Sequence, residues 1–138
     1  MIRLKYGHLC DFATTDQRGK PIIVGIFDRV NWRGNSEKAA IPPCFLVGEL
    51  EGSIADGSEH RLRVEIRDSN GGAVFSTRSE AVIALGNAGP GLPFVGGFRI
   101  QFANLSLPGA DDYEIWFRVD GEKLSEVVAF SVVDLRET

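Results

Sequence analysis

The sequence predicts an all-β fold, an antiparallel β-sandwich of about eight strands. Short runs of alternating apolar and polar residues recur along the chain, with Gly, Pro, Asn and Asp clustered between them. Sixteen glycines and six prolines can supply the turns that such a fold needs. No long segment has a helical period, and because spacing alone does not separate a sandwich from a barrel, a β-barrel is the alternative.

The clearest element is a hairpin between Asp111 and Asp134. Asp120-Gly121 lies between two runs rich in β-branched and aromatic residues. A two-residue type I′ turn needs positive φ at both central positions, which Asp-Gly adopts readily. We therefore predict the turn at these two residues, with alternate apolar side chains of both strands facing a core.

Strict pairing from this turn places Tyr113 opposite Val128 and aims Glu126 inward. Because an unpaired buried carboxylate is costly, we predict a β-bulge or an edge position near Ser125 and Glu126. Tyr113 also follows a Gly-containing turn, as in the tyrosine corner of immunoglobulin-like domains, where the phenol bonds to backbone a few residues upstream. A Tyr that simply packs at a strand end is the alternative.

The N-terminal third predicts two strands and a long connection. The first strand spans Ile2 to Phe12 and ends in a polar turn. Pro21 to Val30 is apolar at both odd and even positions, which predicts a central strand buried on both faces. Gly25 inside it indicates a bulge or the close approach of another segment. The connection from Asn31 to Pro43 shows no strand pattern and is long for a loop.

The rest of the chain predicts further strands separated by turns. Cys44 to Glu51 and His60 to Asp68 are strands, and the second alternates cleanly. Ala73 to Leu85 has a polar middle that suits an edge strand or a bend. Gly86 to Gly97 has so many Gly and Pro residues that we predict a loop. Phe98 to Leu105 alternates again.

Length and charge limit the function classes. With 138 residues the chain forms one domain, residues 1–138. A net charge of −4 argues against a nucleic-acid partner, and no apolar run is long enough to cross a membrane. Neither a signal peptide nor a disulfide framework is evident, although Cys10 and Cys44 could pair. We expect two buried reduced thiols and a cytoplasmic protein.

No motif for catalysis, cofactor binding or metal binding is recognisable. The Gly-rich stretch lacks the Lys and the following helix of a phosphate-binding loop. His8, Cys10, Cys44 and His60 lack the spacing of a zinc site. His8 and Cys10 share one strand face while Asp11 points to the other, a poor geometry for a catalytic triad. We expect no enzymatic activity, no cofactor and no metal.

Three aromatic residues are the candidate binding surface. Trp32 begins the long connection, Trp116 falls on the outer face of the hairpin, and Phe94 lies in the Gly-rich stretch. Aromatic side chains are enriched in interface cores and also stack on sugars. The alternative is that each is covered by the protein itself.

The chain also resembles a family of small bacterial proteins classed as a domain of unknown function. The resemblance spans nearly the whole chain and is carried by Leu9-Cys10-Asp11, Gly19-Lys20, Gly25 through Arg29, Glu59 through Arg63, and Tyr113 through Glu122. It implies an immunoglobulin-like sandwich, often a stand-alone cytoplasmic protein with no assigned activity. It carries no catalytic residue over to this chain.

These observations favour a non-catalytic protein-binding or structural module. Its expected partner is another protein or a second copy of itself, met through loops or a sheet edge. The alternative is a β-sandwich that binds a small ligand, either carbohydrate or calcium. Asp68, Asp111 and Asp112 lie at turns and could offer oxygen ligands to calcium, although Asp is first of all a turn residue.

Overall fold

The structure, a computed structural model, describes residues 1–33 and 38–137. Within that part of the chain the fold is all-β, as predicted, although the strands outnumber the expected eight. The thirteen strands, in chain order, are β1 (Arg3–Thr15), β2 (Pro21–Phe27), β3 (Arg29–Trp32), β4 (Ala39–Ala40), β5 (Cys44–Gly52), β6 (Glu59–Arg67), β7 (Ala73–Ser76), β8 (Ala81–Ala84), β9 (Gly86–Asn87), β10 (Phe94–Phe102), β11 (Ser106–Leu107), β12 (Asp111–Val119) and β13 (Glu122–Asp134). Two single-turn 3-10 helices span Ile54–Asp56 and Leu135–Glu137, and no helix of the described residues is long and apolar enough to cross a membrane.

The strands form two large sheets and one small sheet. Sheet A has the order β2-β1-β5-β10-β9, and sheet B has the order β3-β13-β12-β6-β7, with β8 also pairing with β6. The small sheet joins β11 to β4. Neighbouring strands are antiparallel except β3 and β13, which are parallel. One sheet curls into half a barrel.

One hydrophobic cluster fills the space between the two large sheets. Sheet A contributes Leu46 and Leu50, and sheet B contributes Val64, Ile115 and Phe117, all with no measurable exposure. They occupy alternate positions because successive strand side chains point to opposite faces. Each such burial contributes roughly 1.5–3 kcal/mol before the entropy cost of ordering the chain. The inward alternation expected for the hairpin and for His60 to Asp68 is therefore confirmed.

The β12–β13 hairpin turns at the predicted residues. Asp120 has φ of 52° and Gly121 has φ of 85°, the two positive values that a type I′ turn requires. The pairing register shifts by two residues between Trp116 and Arg118, opposite the stretch that contains Ser125. The predicted bulge is therefore present.

The bulge changes all pairing beyond it. Tyr113 lies opposite Phe130, so the predicted pairing with Val128 was wrong because the extra bulge residues shift the register. The Glu126 carboxylate is not left unpaired, because it accepts a hydrogen bond of 3.0 Å from the backbone N–H of Leu4, in the other large sheet. Burial alone would raise the pKa of Glu126, but hydrogen bonds from Ser125 and from backbone N–H groups lower it below its ordinary value.

The strand expected at the centre of a sheet lies at an edge. The predicted segment Pro21 to Val30 divides at Asp28, where the chain leaves sheet A and enters sheet B as β3. Most of β2 is exposed. Its apolar residues at both odd and even positions therefore belong to an exposed strand and not to a buried one. Gly25 within it has φ of 71°, and a Cβ there would meet the Asp11 side chain, which confirms the expected close approach.

The two expected loops are partly strand. Trp32 ends β3 and Ala39–Ala40 form β4, while residues 34–37 of the connection lie outside the described residues. The predicted Gly-rich loop contains β9 and the start of β10. Backbone pairing with β5, which sequence patterns do not report, recruits Phe94 through Gly97 into the sheet.

Candidate functional site

The three predicted surface aromatics lie in different parts of the fold. Trp32 and Phe94 are half-buried against the shared core, in sheet B and sheet A respectively. The Arg136 guanidinium lies 5.3 Å from the Trp32 ring centroid. Trp116 lies in the middle of sheet B, between β6 and β13 in register. The structure therefore does not bring the three side chains together into one surface.

Trp116 is flanked by charged side chains of its own sheet. The Arg67 guanidinium lies 4.4 Å and the Lys123 ammonium 4.6 Å from its ring centroid. Its indole N–H donates to the Glu114 carboxylate at 3.1 Å. Such cation–π contacts each contribute about 0.5–1 kcal/mol at exposed sites. A ligand that stacks on a face of the ring that one of these cations covers must displace that cation.

Exposed apolar side chains concentrate on the β1–β2 hairpin. Phe12, Ile22, Val24 and Ile26 are 51%, 43%, 52% and 58% exposed. They make up half of the exposed large apolar residues in the described part of the chain. Phe12 lies directly opposite Val24, and the two Ile residues lie two positions to either side of Val24. We call these four residues the apolar hairpin patch.

A cavity lies beside this hairpin on sheet A. It has a volume of about 440 Å³, and its lining includes Tyr6, Val47, Glu49 and Arg99 together with residues of the β1–β2 turn. Arg99 donates a hydrogen bond of 2.9 Å to the Ala13 carbonyl, which ties the hairpin to the sheet. The cavity thus presents an aromatic ring, a carboxylate and a guanidinium beside apolar surface.

The electrostatics of this cavity depend on Glu49. Burial raises the pKa of the Tyr6 phenol, and the Glu49 carboxylate, which accepts its hydrogen bond, raises it further. The phenol is therefore neutral near pH 7, and its hydroxyl is a polar group in the lining of the cavity. Lys5 lies 3.6 Å from Glu49, so the carboxylate has a cationic neighbour as well.

The cysteines are buried, and the turn aspartates accept hydrogen bonds within the protein. Cys10 and Cys44 are both free and buried, as expected, and burial raises the pKa of Cys44 to about 11. Asp111 accepts the backbone N–H of Ser69, and Asp112 accepts the hydroxyl of Ser131 at 2.6 Å. Across residues 1–33 and 38–137, no three His, Cys, Asp or Glu side chains are grouped as a metal site would require.

Sequence patterns did not predict the contact between His60 and Asp120. His60 is only 3% exposed, and its Nδ1 lies 2.7 Å from the Asp120 carboxylate while its Nε2 lies 3.0 Å from the Gly57 carbonyl. Both ring nitrogens face acceptors, which suits the doubly protonated ring. Burial alone would lower the pKa of His60, but these two hydrogen bonds raise it above its ordinary value.

Comparison with solved structures contradicts one expectation about partners. A structure of Pseudomonas fluorescens alkylpurine DNA glycosylase AlkC bound to DNA containing an abasic site analog matches with a TM-score of 0.45 and 12% identity. The match covers 95% of this chain and 30% of the glycosylase chain. The expected partner set excluded nucleic acid, and this DNA-bound match contradicts that exclusion without showing that this chain binds nucleic acid. Net charge averages over a surface and does not report how charges are distributed, so it is not sufficient to exclude a nucleic-acid partner.

The likeness to the glycosylase carries no argument about what this chain binds, because both the identity and the TM-score are low. This chain spans about a third of the glycosylase chain. No curated protein matches the sequence.

A protein-family comparison supplies the classification. A model described as "Family of unknown function (DUF6941)" matches residues 5–132, nearly the whole chain. This finding confirms the resemblance to an uncharacterised family that the sequence motifs indicated. The chain belongs to the family of unknown function DUF6941.

Proposed function

We propose that the protein is a non-catalytic binding module that docks an apolar, uncharged β-strand of a partner protein on its apolar hairpin patch. The observation that carries this proposal is the exposure of Phe12, Ile22, Val24 and Ile26 on one hairpin. Contiguous exposed apolar surface in a folded protein marks an interaction site or an aggregation hazard.

The position of β2 supports a strand as the occupant. The strand lies at the edge of sheet A, so one row of its backbone groups has no neighbour in that sheet. Natural edge strands usually carry charges that block pairing, yet Pro21–Phe27 contains none. A partner strand can therefore add its side chains to the patch and its backbone to the edge.

Features of β2 limit how such a strand could bind. Pro21 offers no N–H, and the positive φ of Gly25 interrupts the regular edge. Apolar side-chain contacts would thus supply more affinity than a long ladder of backbone hydrogen bonds. Lys20 and Asp28 flank the strand with opposite charges, so charge is confined to the two ends of the docking edge.

The fold and location that we propose are those implied by the family resemblance. We propose an immunoglobulin-like sandwich, supported by the Tyr113 hydroxyl, which donates to the Gly109 carbonyl at 2.7 Å as in a tyrosine corner. We propose a cytoplasmic location, supported by the two free cysteines, since disulfides are rare in that compartment.

Selection from a random 12-residue peptide library tests the docking proposal. The double variant Phe12→Ser, Val24→Thr should bind the selected peptides at least tenfold more weakly than the original protein. The matched control is Val82→Thr, Leu92→Ser, which removes side chains that are 53% and 56% exposed elsewhere. Both variants change exposed residues, so their melting temperatures should stay close to that of the original protein.

Three outcomes would contradict the proposal. The selected peptides could be rich in charge, or they could bind the patch variant as well as they bind the control variant. Sedimentation could instead show a dimer that only the patch variant loses, which would assign the patch to a second copy of this chain.

The cavity on sheet A favours small-ligand binding as a second candidate function. Tyr6 offers an aromatic face, while Glu49 and Arg99 offer an acceptor and donors, which together suit a carbohydrate. A saccharide panel should raise the melting temperature of the original protein, and Tyr6→Ala should abolish that rise. A rise that persists in Tyr6→Ala would place the ligand elsewhere.

A further inference from the structure

The outer face of sheet B carries a row of like charges across three neighbouring strands. Arg118 of β12 lies directly opposite Arg63 of β6 on one side and Lys123 of β13 on the other. Directly opposed residues have their Cβ atoms about 4.5–5.5 Å apart, and like charges in that position destabilise a sheet. Three cations therefore lie side by side in a protein whose net charge is −4.

The adjoining rows add aromatic and basic groups. The next row is Glu65 and Trp116, and the row beyond it is Arg67 and Glu114. Arg61 precedes the cationic row on β6 and is exposed. We call the following set the basic face: Arg61, Arg63, Arg67, Arg118, Lys123 and Trp116.

The acids on this face do not neutralise it. Glu65 binds two of the guanidinium groups, with Arg67 Nη2 at 2.6 Å and Arg118 Nε at 2.5 Å. Glu114 is engaged by the Trp116 indole. Among the described residues, the Arg63 side chain has no hydrogen-bond or ion-pair partner. The face therefore has more positive than negative charge, and the Arg63 guanidinium is free.

We propose that the basic face binds the phosphate backbone of single-stranded nucleic acid and that Trp116 stacks on one base. Arg and Lys contacts to phosphates, combined with an aromatic platform, are the means by which proteins hold single strands. An acidic peptide would satisfy the cations but would make no use of the ring. The face is open, so an extended polymer can lie across it.

The two cations beside Trp116 differ in how firmly they are held. Arg67 is fixed by Glu65 and by a hydrogen bond of 3.1 Å to the Gly71 carbonyl. Lys123 has one hydrogen bond, to the Leu124 carbonyl, and an exposed flexible side chain. An incoming base therefore takes the place of Lys123 on the ring, and the released ammonium contacts a phosphate.

Fluorescence anisotropy with a fluorescein-labelled 12-nucleotide thymidine oligomer tests the proposal. Single-strand binding weakens with salt with a log–log slope of about −0.7 per phosphate contact, so about four contacts give a slope near −2.8. We expect affinity to fall about 50-fold between 50 and 200 mM NaCl. In the double variant Arg63→Gln, Lys123→Gln, the slope of the salt dependence should be roughly halved, because two of the phosphate contacts are lost.

A matched variant separates the site from overall charge. Arg18→Gln, Lys20→Gln removes the same charge from the β1–β2 turn of sheet A and should leave the slope unchanged. The basic-face variant removes like-charge repulsion but also the contact of Lys123 with the Trp116 ring, so its melting temperature should stay close to that of the original protein. Arg63→Lys retains the charge and should retain most of the binding.

Emission from Trp116 tests the stacking. The chain has two tryptophans, so Trp32→Phe leaves Trp116 as the one reporter. The oligomer should quench its emission with the same midpoint as the anisotropy change. The proposal is overturned if the oligomer fails to bind at 50 mM NaCl or if both double variants change the salt slope equally. It is also overturned if polyglutamate competes as well as the unlabelled oligomer at equal charge, or if binding leaves the Trp116 emission unchanged.

Discussion

Replacing Asp120 by Asn should destabilise the protein in a pH-dependent way. Asn adopts positive φ almost as readily as Asp, so the turn that now has φ of 52° at this position persists. The change removes the carboxylate that accepts from His60 at 2.7 Å and from the Arg61 backbone N–H at 2.9 Å. The main loss is therefore the charged contact to a buried imidazolium ring.

The expected cost follows from the exposure of the two partners. A hydrogen bond between charged groups contributes roughly 1.5–3 kcal/mol. The Asp120 side chain is 52% exposed, so solvent screening reduces this contribution, and we expect a loss of about 1 kcal/mol. In a domain of this size that corresponds to a melting temperature lower by about 4 °C.

The direction of the pH dependence follows from the two pKa shifts. The pKa of His60 is raised, so its contribution is complete below the unfolded value near 6.5 and is lost as pH rises through the folded value. Hydrogen bonds from His60 and from the Arg61 backbone lower the pKa of Asp120, so its contribution is lost as pH falls through that lower value. The pair is complete from about pH 4 to 6.5.

Urea unfolding followed by tryptophan fluorescence measures this difference. Asp120→Asn should cost about 1 kcal/mol at pH 5.5 and less at pH 9, because His60 loses its proton as pH rises through its raised pKa. Glu122→Gln removes the same charge from the same hairpin without touching His60, and it should cost little at either pH. An equal cost of Asp120→Asn at both pH values would refute the reasoning.

Two further changes test other contacts. Tyr113→Phe should cost about 1 kcal/mol in urea unfolding, because it removes the partly buried hydrogen bond of 2.7 Å from the phenol to the Gly109 carbonyl; a cost near zero would contradict the tyrosine-corner interpretation. Glu65→Gln should cost about 1–3 kcal/mol at pH 7, because it leaves two guanidinium groups facing each other without their carboxylate. Burial raises the pKa of Glu65 but the two Arg contacts lower it overall, so the cost should shrink as pH falls through that lowered pKa, and a cost that grows in acid would be contrary to this account.

Features encoded by a few neighbouring residues were predictable. The Asp120-Gly121 turn follows from the φ values that those two residues tolerate, and the inward positions of β6 and β12 follow from alternation. The bulge near Ser125 was predictable because Glu126 broke that alternation. The family was recognisable because its motifs lie on these same turns and strands.

The candidate surfaces were less predictable. Trp116 was correctly placed on the outer side of the hairpin, but nothing near it in sequence indicates that Arg67 of another strand lies over its ring. The apolar hairpin patch was hidden because an apolar strand exposed at an edge has the same composition as one buried in a sheet. Exposure depends on which strands are neighbours, and β2 has a neighbour on one side only in sheet A.

The sequence by itself determined the all-β class, the main hairpin and the core-facing positions, because φ preferences and a period of two act over a few residues. The tertiary structure decided the crossing of the chain at Asp28, the burial of His60 against Asp120 and the cationic row through Arg118. Each of these joins residues that are distant in the chain or depends on which sheet a strand enters. Their physical cause is strand register, which local sequence does not specify.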